Sequence, residues 1–305
     1  MVWLHPSFMN AGLALLVGAV IGVLLGNPKP ALTKKLAHHF LFASVAGLGA
    51  GLSLRTLVEV GARGLLGTVA GIVACLALGF VLARVVRLEP KLALLVTVGT
   101  AICGGSAIAA ISPVVHADEE ESSLALATVF ILNGVALFLF PFVGHLAHMS
   151  GHQFGWWSAI AIHDTSSVVG AALRFGDGAV DLAVPLKLTR ALYIVPVALL
   201  ISACLPQFSG SKTDGKKVGA PLPWLAIAFL IVSTSFTFVP LLASLRGFTV
   251  MLARHGMELA LFFLGLGLTR ETLKKLTAKP LVFGVGLWVV MATGTLGAVV
   301  MLVAS

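Results

Sequence analysis

The sequence predicts an all-α polytopic membrane protein, built as an inverted-repeat secondary transporter with about 8–10 membrane spans and two broken or re-entrant helices. Three observations predict it. The 305 residues are 58% hydrophobic and only 10% charged, with a mean hydropathy of +1.05, where soluble proteins carry roughly 25% charged residues. A soluble domain needs a polar surface that this composition cannot supply; lipid-facing helices need none. Apolar runs near the length of a membrane span recur ten times, near 8–27, 36–55, 64–86, 91–117, 122–148, 153–175, 182–205, 222–242, 248–270 and 280–304. Finally, part of the chain repeats itself.

Taken in order, the first segment, FMNAGLALLVGAVIGVLLG, is long enough to span and has no basic n-region before it, so it reads as a transmembrane helix and not a cleaved signal. Gly18, Gly22 and Gly26 in it follow the GxxxGxxxG spacing of packing glycines. The second and ninth segments carry the repeat: HHFLFASVAGLGAGLSLRTLVEVGARGLL aligns without gaps on RHGMELALFFLGLGLTRETLKKLTAKPLV at an offset of 216, matching His39 with His255, Gly49 with Gly265 and Gly51 with Gly267. The fourth segment is interrupted at Gly104 and Gly105. The fifth follows the run Asp118 to Glu121, read as a charged loop, and carries Asn133. The sixth sets His163 and Asp164 among Ala, Ile, Val and Gly, and the seventh holds Lys187 and Arg190 three residues apart, hence on one helix face. PQFSGSKTDGKKVGAP, 206–221, is a flexible polar loop, and Glu258 stands alone in the apolar ninth segment. All of this forms one transmembrane domain over 1–305, with repeat-related halves at about 8–148 and 153–305.

The fourth and sixth segments set a parity problem. GTAICGGSAIAA and AIHDTSSVVGAA look like counterparts in an inverted repeat, yet with only the fifth segment between them two full spans would run in the same direction. The conflict disappears if both are incomplete crossings that turn near Gly104 and Gly105 and near Asp164 and Thr165. Non-helical backbone at membrane depth is tolerated only where it is buried in protein or lines an aqueous cavity. Such breaks expose helix N-termini, which attract anions.

The net charge of +8 comes from basic clusters between apolar runs, the pattern of topology signals, so no nucleic-acid partner is expected. Alternating sides gives thirteen Lys and Arg residues on one face and seven, including Lys187 and Arg190, on the other. The richer face is cytoplasmic by the positive-inside rule, placing both termini outside an inner (plasma) membrane. Cys75, Cys103 and Cys204 show neither disulfide nor metal spacing, and His145, His148 and His152 read as an interfacial cluster.

At GTAICGGSAIAAISPVV, AIHDTSSVV and LKLTRAL the chain resembles the YeiH-type family, whose members carry the label of sulfate exporters. That family looks like a distant relative of cation/proton antiporters and bile-acid-type symporters, which implies a helical scaffold around a mobile core with two broken helices. SLALATVFILNGVALFLF resembles the antiporters' core helix, with Asn133 where they can carry an Asn-Asp pair and Gly134 in place of the aspartate.

The function expected is export of a small anion by alternating access with proton coupling. Sulfate or a related sulfonate is implied by the resemblance. Thr100, Cys103, Gly104, Gly105, Ser106, Asn133, Thr165, Ser166, Ser167, Lys187 and Arg190 are the candidate substrate-binding residues. His163 and Asp164 are the candidate proton-coupling pair, imidazole being the side chain that ordinarily titrates near neutrality. No catalytic residue, cofactor or metal is expected. The partners are an inorganic or organic anion and the lipid bilayer, and a homo-oligomer is compatible with the pattern. No GxxxxGK[ST] motif offers ATP hydrolysis as an energy source. Cation/proton antiport is the alternative. An intramembrane hydrolase using Ser166 or Ser167 with His163 and Asp164 is weaker, since side chains adjacent in sequence diverge on a helix and no GxSxG is present.

Overall fold

A computed structural model describes residues 6–204, 224–270 and 278–302, so the expected loop at 206–221 and part of the second repeat copy, 271–277, lie outside the described residues. The described residues are helical throughout, without strands: α1 Pro6–Leu24, α2 Pro30–Leu48, α3 Leu54–Val86, α4 Pro90–Ala101, α5 Gly105–Ile111, α6 Glu119–Leu146, α7 Gly151–Ala161, α8 Thr165–Phe175, α9 Ala179–Ala191, α10 Ile194–Cys204, α11 Trp224–Phe238, α12 Arg246–Leu266 and α13 Ala278–Leu302. Five stretches are long and apolar enough to cross a bilayer, namely 64–86, 120–146, 179–203, 240–266 and 278–301. This is an all-α polytopic membrane protein.

The helices sort into two units. In the first, α12 packs along both α1 and α2, with α11 alongside α2. Small residues let these backbones meet: a Cβ on Gly18 would overlap the Phe262 carbonyl at 2.1 Å and one on Gly265 the Leu15 carbonyl at 2.2 Å. Gly26 is not a packing glycine. At φ +79°, with nothing within 4 Å of a Cβ built on it, it follows the end of α1 in the left-handed region. The two helices that carry the sequence repeat, α2 and α12, pack antiparallel, with Gly47 against Ala253 and Ser44 against Gly256.

The second unit comprises α3 to α10 and α13. Its core includes Phe140 stacked between Trp157 (4.3 Å) and Trp288 (5.7 Å), with Phe154 stacked on Phe175 at 4.0 Å. The fourth and sixth segments are hairpins of half-helices. Across the first break, a Cβ on Gly99 would lie 2.9 Å from the Ile108 side chain, and at its base Lys91 Nζ donates to the His116 carbonyl at 2.9 Å. A straight helix would hold residues 99 and 108 about 13 Å apart. At the base of the second hairpin, Gly151 abuts Asp177. Helix α6 joins the base of one hairpin to the base of the other, so the two enter from opposite ends of α6 and meet tip to tip.

Capping fixes where these pieces start. The acidic run 118–121 is a helix start and not a free loop: Asp118 accepts from Glu121 N at 2.7 Å and Glu121 accepts from Asp118 N at 2.8 Å, a reciprocal capping box. Ser150 and Gln153 repeat the device at α7.

The hairpins predict paired accessibility. Cysteines at Glu89 and Glu120 are expected to react with an impermeant thiol reagent from one side of the membrane, and cysteines at His152 and Asp177 from the other. Labelling of Glu89→Cys and Glu120→Cys from opposite sides would mean that α4 and α5 together cross the membrane.

Candidate functional site

The site is the crossing of the two hairpin tips, and the local sequence dictates both turns. Gly104 adopts φ +68°, ψ −127°, a conformation essentially restricted to glycine. In the second tip, Ile162 and Asp164 are extended and Asp164 caps α8, accepting from Ser166 N at 3.0 Å and from the Ser166 hydroxyl. The tips touch: a Cβ on Gly104 would lie 3.3 Å from Asp164 Cβ and 3.5 Å from its backbone nitrogen. A side chain at position 104 would press on Asp164 and would also be strained by the positive φ. From the middle of α6, Asn133 Oδ1 accepts from Asp164 N at 3.3 Å.

Two cations lie at this level, halfway along the span 179–203. Lys187 is 0% exposed and Arg190 1%, so neither snorkels to an interface. Their hydrogen bonds go to carbonyls that the interrupted helices leave without partners. Lys187 Nζ donates to Ile162 O at 2.6 Å, Arg190 Nε to Ala101 O, and Arg190 Nη1 to Ile160 O at 2.7 Å. The Trp288 indole donates to the remaining tip carbonyl, Ala161 O, at 3.1 Å. A half-helix ending at membrane depth presents carbonyls and a partial negative charge with no water to satisfy them. Here three side chains replace that water.

Charge does not balance within this arrangement. The helix ends carry about half a charge each, two positive and two negative, and cancel to first order. Counted as formal charges, Lys187 and Arg190 outnumber the tip's one carboxylate, Asp164, by one. Among the described residues the ion pairs are Arg55–Glu59 and His255–Glu258, neither of them at the crossing. Three charge-assisted hydrogen bonds at about 1.5–3 kcal/mol each roughly match a desolvation cost of several kcal/mol per buried ion, with no surplus. Polar capacity is also unfilled: both ring nitrogens of His163, which is 1% exposed, and Arg190 Nη2 are buried without a hydrogen-bond partner. Such groups are rare in folded proteins and mark places where a ligand or ordered water belongs.

The tips thus bring together Gly104, Asn133, His163, Asp164, Ser166, Lys187 and Arg190. Cys103, Thr165 and Ser167 are buried in the same turns. Thr100 bonds within its own helix, to Val96 O at 2.9 Å. On the first tip Gly105 is partly exposed and Ser106 exposed, so this tip is accessible on its α5 side. Arg190 presents one free nitrogen, because the other two cap carbonyls. Trp288 is the residue sequence reasoning missed. Its signal was an indole in the middle of an apolar span, away from the interfacial belts where tryptophan concentrates.

An α-helical multi-pass membrane protein with two opposed helical hairpins that meet at their tips is the class that fold and site define. The family model described as "Conserved hypothetical protein 698" matches residues 2–284. Similar proteins include a UPF0324 membrane protein of Bdellovibrio bacteriovorus, 46% identical over 96% of this chain and 89% of that protein. Others come from Bacteroides thetaiotaomicron (40% identical; 96% and 86% covered) and Shewanella oneidensis (42%; 95% and 89%). The chain belongs to the UPF0324 family of membrane proteins, which is the YeiH-type family. No solved structure matches it.

Removing the Arg190 cap leaves two carbonyls orphaned. At about 1–3 kcal/mol for each unsatisfied group, Arg190→Met is expected to lose at least about 2 kcal/mol of stability, with Arg190→Lys in between because it can refill one bond. Thermal unfolding of purified protein in detergent measures this; a wild-type midpoint in both variants would refute the capping role.

Proposed function

We propose that this protein is a secondary transporter of a small anion, an exporter working by alternating access around the crossed hairpin tips. One observation carries the reading: two fully buried cations, Lys187 and Arg190, bond to carbonyls of the two hairpin tips, where Asp164 supplies one carboxylate. A bound monovalent anion, or a divalent one accompanied by a proton, compensates the excess charge and supplies acceptors to Arg190 Nη2 and His163. Sulfate or a sulfonate is the substrate class the family resemblance suggests. His163 and Asp164 are the proposed proton-coupling pair, as the titratable groups of the second tip.

The orientation follows from the same residues. Since Lys187 and Arg190 are buried at mid-span, they leave the tally of loop charges, which becomes thirteen against five (seven minus these two). This supports termini outside, with the α4–α5 hairpin rising from the cytoplasm and the α7–α8 hairpin descending from the outer face.

Cation/proton antiport is the second reading, and one contact favours it. Gly134 removes the expected aspartate from α6, but the tip brings Asp164 against Asn133, so an Asn–Asp pair is assembled from two elements. The hydrolase reading gains no such support: the Ser166 hydroxyl donates to Asp164, and His163 has no hydroxyl partner.

Proteoliposomes distinguish the two. Uptake of radiolabelled sulfate or methanesulfonate under an imposed pH gradient is expected in wild type and should fall at least about tenfold in Lys187→Gln, the loss of about 1.4 kcal/mol or more expected on removing a buried charge. His163→Gln keeps polar atoms but cannot take up a proton, so it should flatten the pH dependence of transport. Proton flux driven by sodium or potassium with no anion requirement would overturn the anion reading in favour of antiport.

A further inference from the structure

A second cluster of cations lies away from the crossing, between α8 and α12. There an open cavity of about 450 Å³ is lined by Arg174, Arg246, Arg254, Met251, His255 and Glu258, a volume within the range of small-molecule sites. Arg246 begins α12 and Glu258 lies twelve residues on, about 18 Å along the helix. The cavity therefore runs from one end of the bundle to mid-depth. Arg174 approaches it from the last turn of α8, the helix that Asp164 caps at its other end.

The lining is cationic and partly fixed in place. Three arginines face one carboxylate, and Glu258 is engaged by His255 at 3.2 Å rather than by an arginine. Asp181 on α9 also acts electrostatically on Arg254, which still leaves three cations against two carboxylates. The Arg174 guanidinium rests on the Phe138 ring at 4.8 Å, and Arg246 Nη2 donates to Phe236 O at 3.0 Å. Two of the three are thus oriented by the fold while keeping further N–H donors. At the inner end, a Cβ on Gly170 would lie 2.4 Å from Leu137 Cδ1 and 3.3 Å from Leu261 Cδ1. Gly170 is one turn from Ser166 on α8, so apolar packing separates the cavity from the crossing.

We propose that this cavity is a second oxyanion-binding site, on the side of the protein from which the α7–α8 hairpin enters, separated from the crossing by Leu137 and Leu261. Arginine forks match the geometry of sulfate, sulfonate and phosphate groups. A cationic cleft raises the local concentration of such groups about tenfold or more. The inference deepens the anion reading and rests on it: in an exporter, the cavity receives the anion released at the outer side. The same chemistry also fits the headgroup of an acidic lipid, and the test separates the two sources.

The experiment places a cysteine at Met251, on the cavity wall, in the full chain with Cys75, Cys103 and Cys204 replaced by alanine. In nanodiscs of phosphatidylcholine, Met251→Cys is reacted with the anionic sulfonatoethyl and the cationic trimethylammonioethyl methanethiosulfonates. The anionic-to-cationic rate ratio is expected to fall about tenfold when Arg174→Gln and Arg254→Gln are added, and severalfold with Arg254→Gln alone, an exposed position with little risk to folding. Sulfate at constant ionic strength should slow the anionic reagent if a free anion occupies the site. Slowing by phosphatidylglycerol in the nanodisc, with none by sulfate, identifies a headgroup as the occupant. A ratio unmoved by loss of the arginines, with protection by neither, overturns the proposal. Labelling requires no transport, so charge-selective labelling of a protein inactive in uptake would remove the transporter reading and leave this site standing.

Discussion

Everything distinctive about this molecule depends on four carbonyls at the ends of interrupted helices. Ala101, Ile160, Ala161 and Ile162 end half-helices at the middle of the bundle, where neither a continuing helix nor bulk water can satisfy them. Arg190, Lys187 and Trp288 supply the donors. This solution holds the tips in place, and it also brings two full charges into the interior where partial charges would have sufficed. By formal charge the centre therefore holds two cations to one carboxylate. Under the proposed function, structure and function are coupled at that point, since the groups that stabilise the breaks are the groups proposed to receive the anion.

The division into two units gives this centre room to change. Helices α1, α2, α11 and α12 pack mainly on one another through small residues, and they meet the hairpin unit chiefly through α1 and α12 on α8 and through α11 on α3 and α9. Contacts within each unit are close and backbone-deep; those between units are fewer. The packing of Leu137 and Leu261 over Gly170 lies on α8 between an arginine-lined cavity and the tip that Asp164 caps.

Much of this was legible in the sequence, for identifiable reasons. Most segment boundaries followed from hydropathy because lipid imposes one composition on every span, but α2 and α3 begin six and ten residues before their expected segments. The breaks that parity called for fall where the hairpins turn, and Gly104 and Asp164 marked the turns through their backbone and capping preferences. The ends of Lys187 and Arg190 were not legible. Charge in an apolar span signals importance, but whether a cation faces a carbonyl, a carboxylate or a ligand depends on helices distant in sequence, as the span of 89 residues between Ala101 and Arg190 shows. Asp118 to Glu121 misled for the opposite reason: a run of acids resembles a solvated loop, while its capping role depends on reciprocal bonds between two particular residues. The arginine cavity was invisible because its lining comes from α8 and α12, more than seventy residues apart.

The central claim is that the crossing is electropositive and holds an anion. The most direct test is anomalous scattering from crystals of the purified protein grown with selenate or bromide, alongside crystals grown with rubidium. The account predicts an anion peak at the hairpin tips, within hydrogen-bonding reach of Arg190 Nη2, that is lost in Lys187→Gln. A rubidium peak beside Asp164 and Asn133, with no anion at the tips, would contradict it.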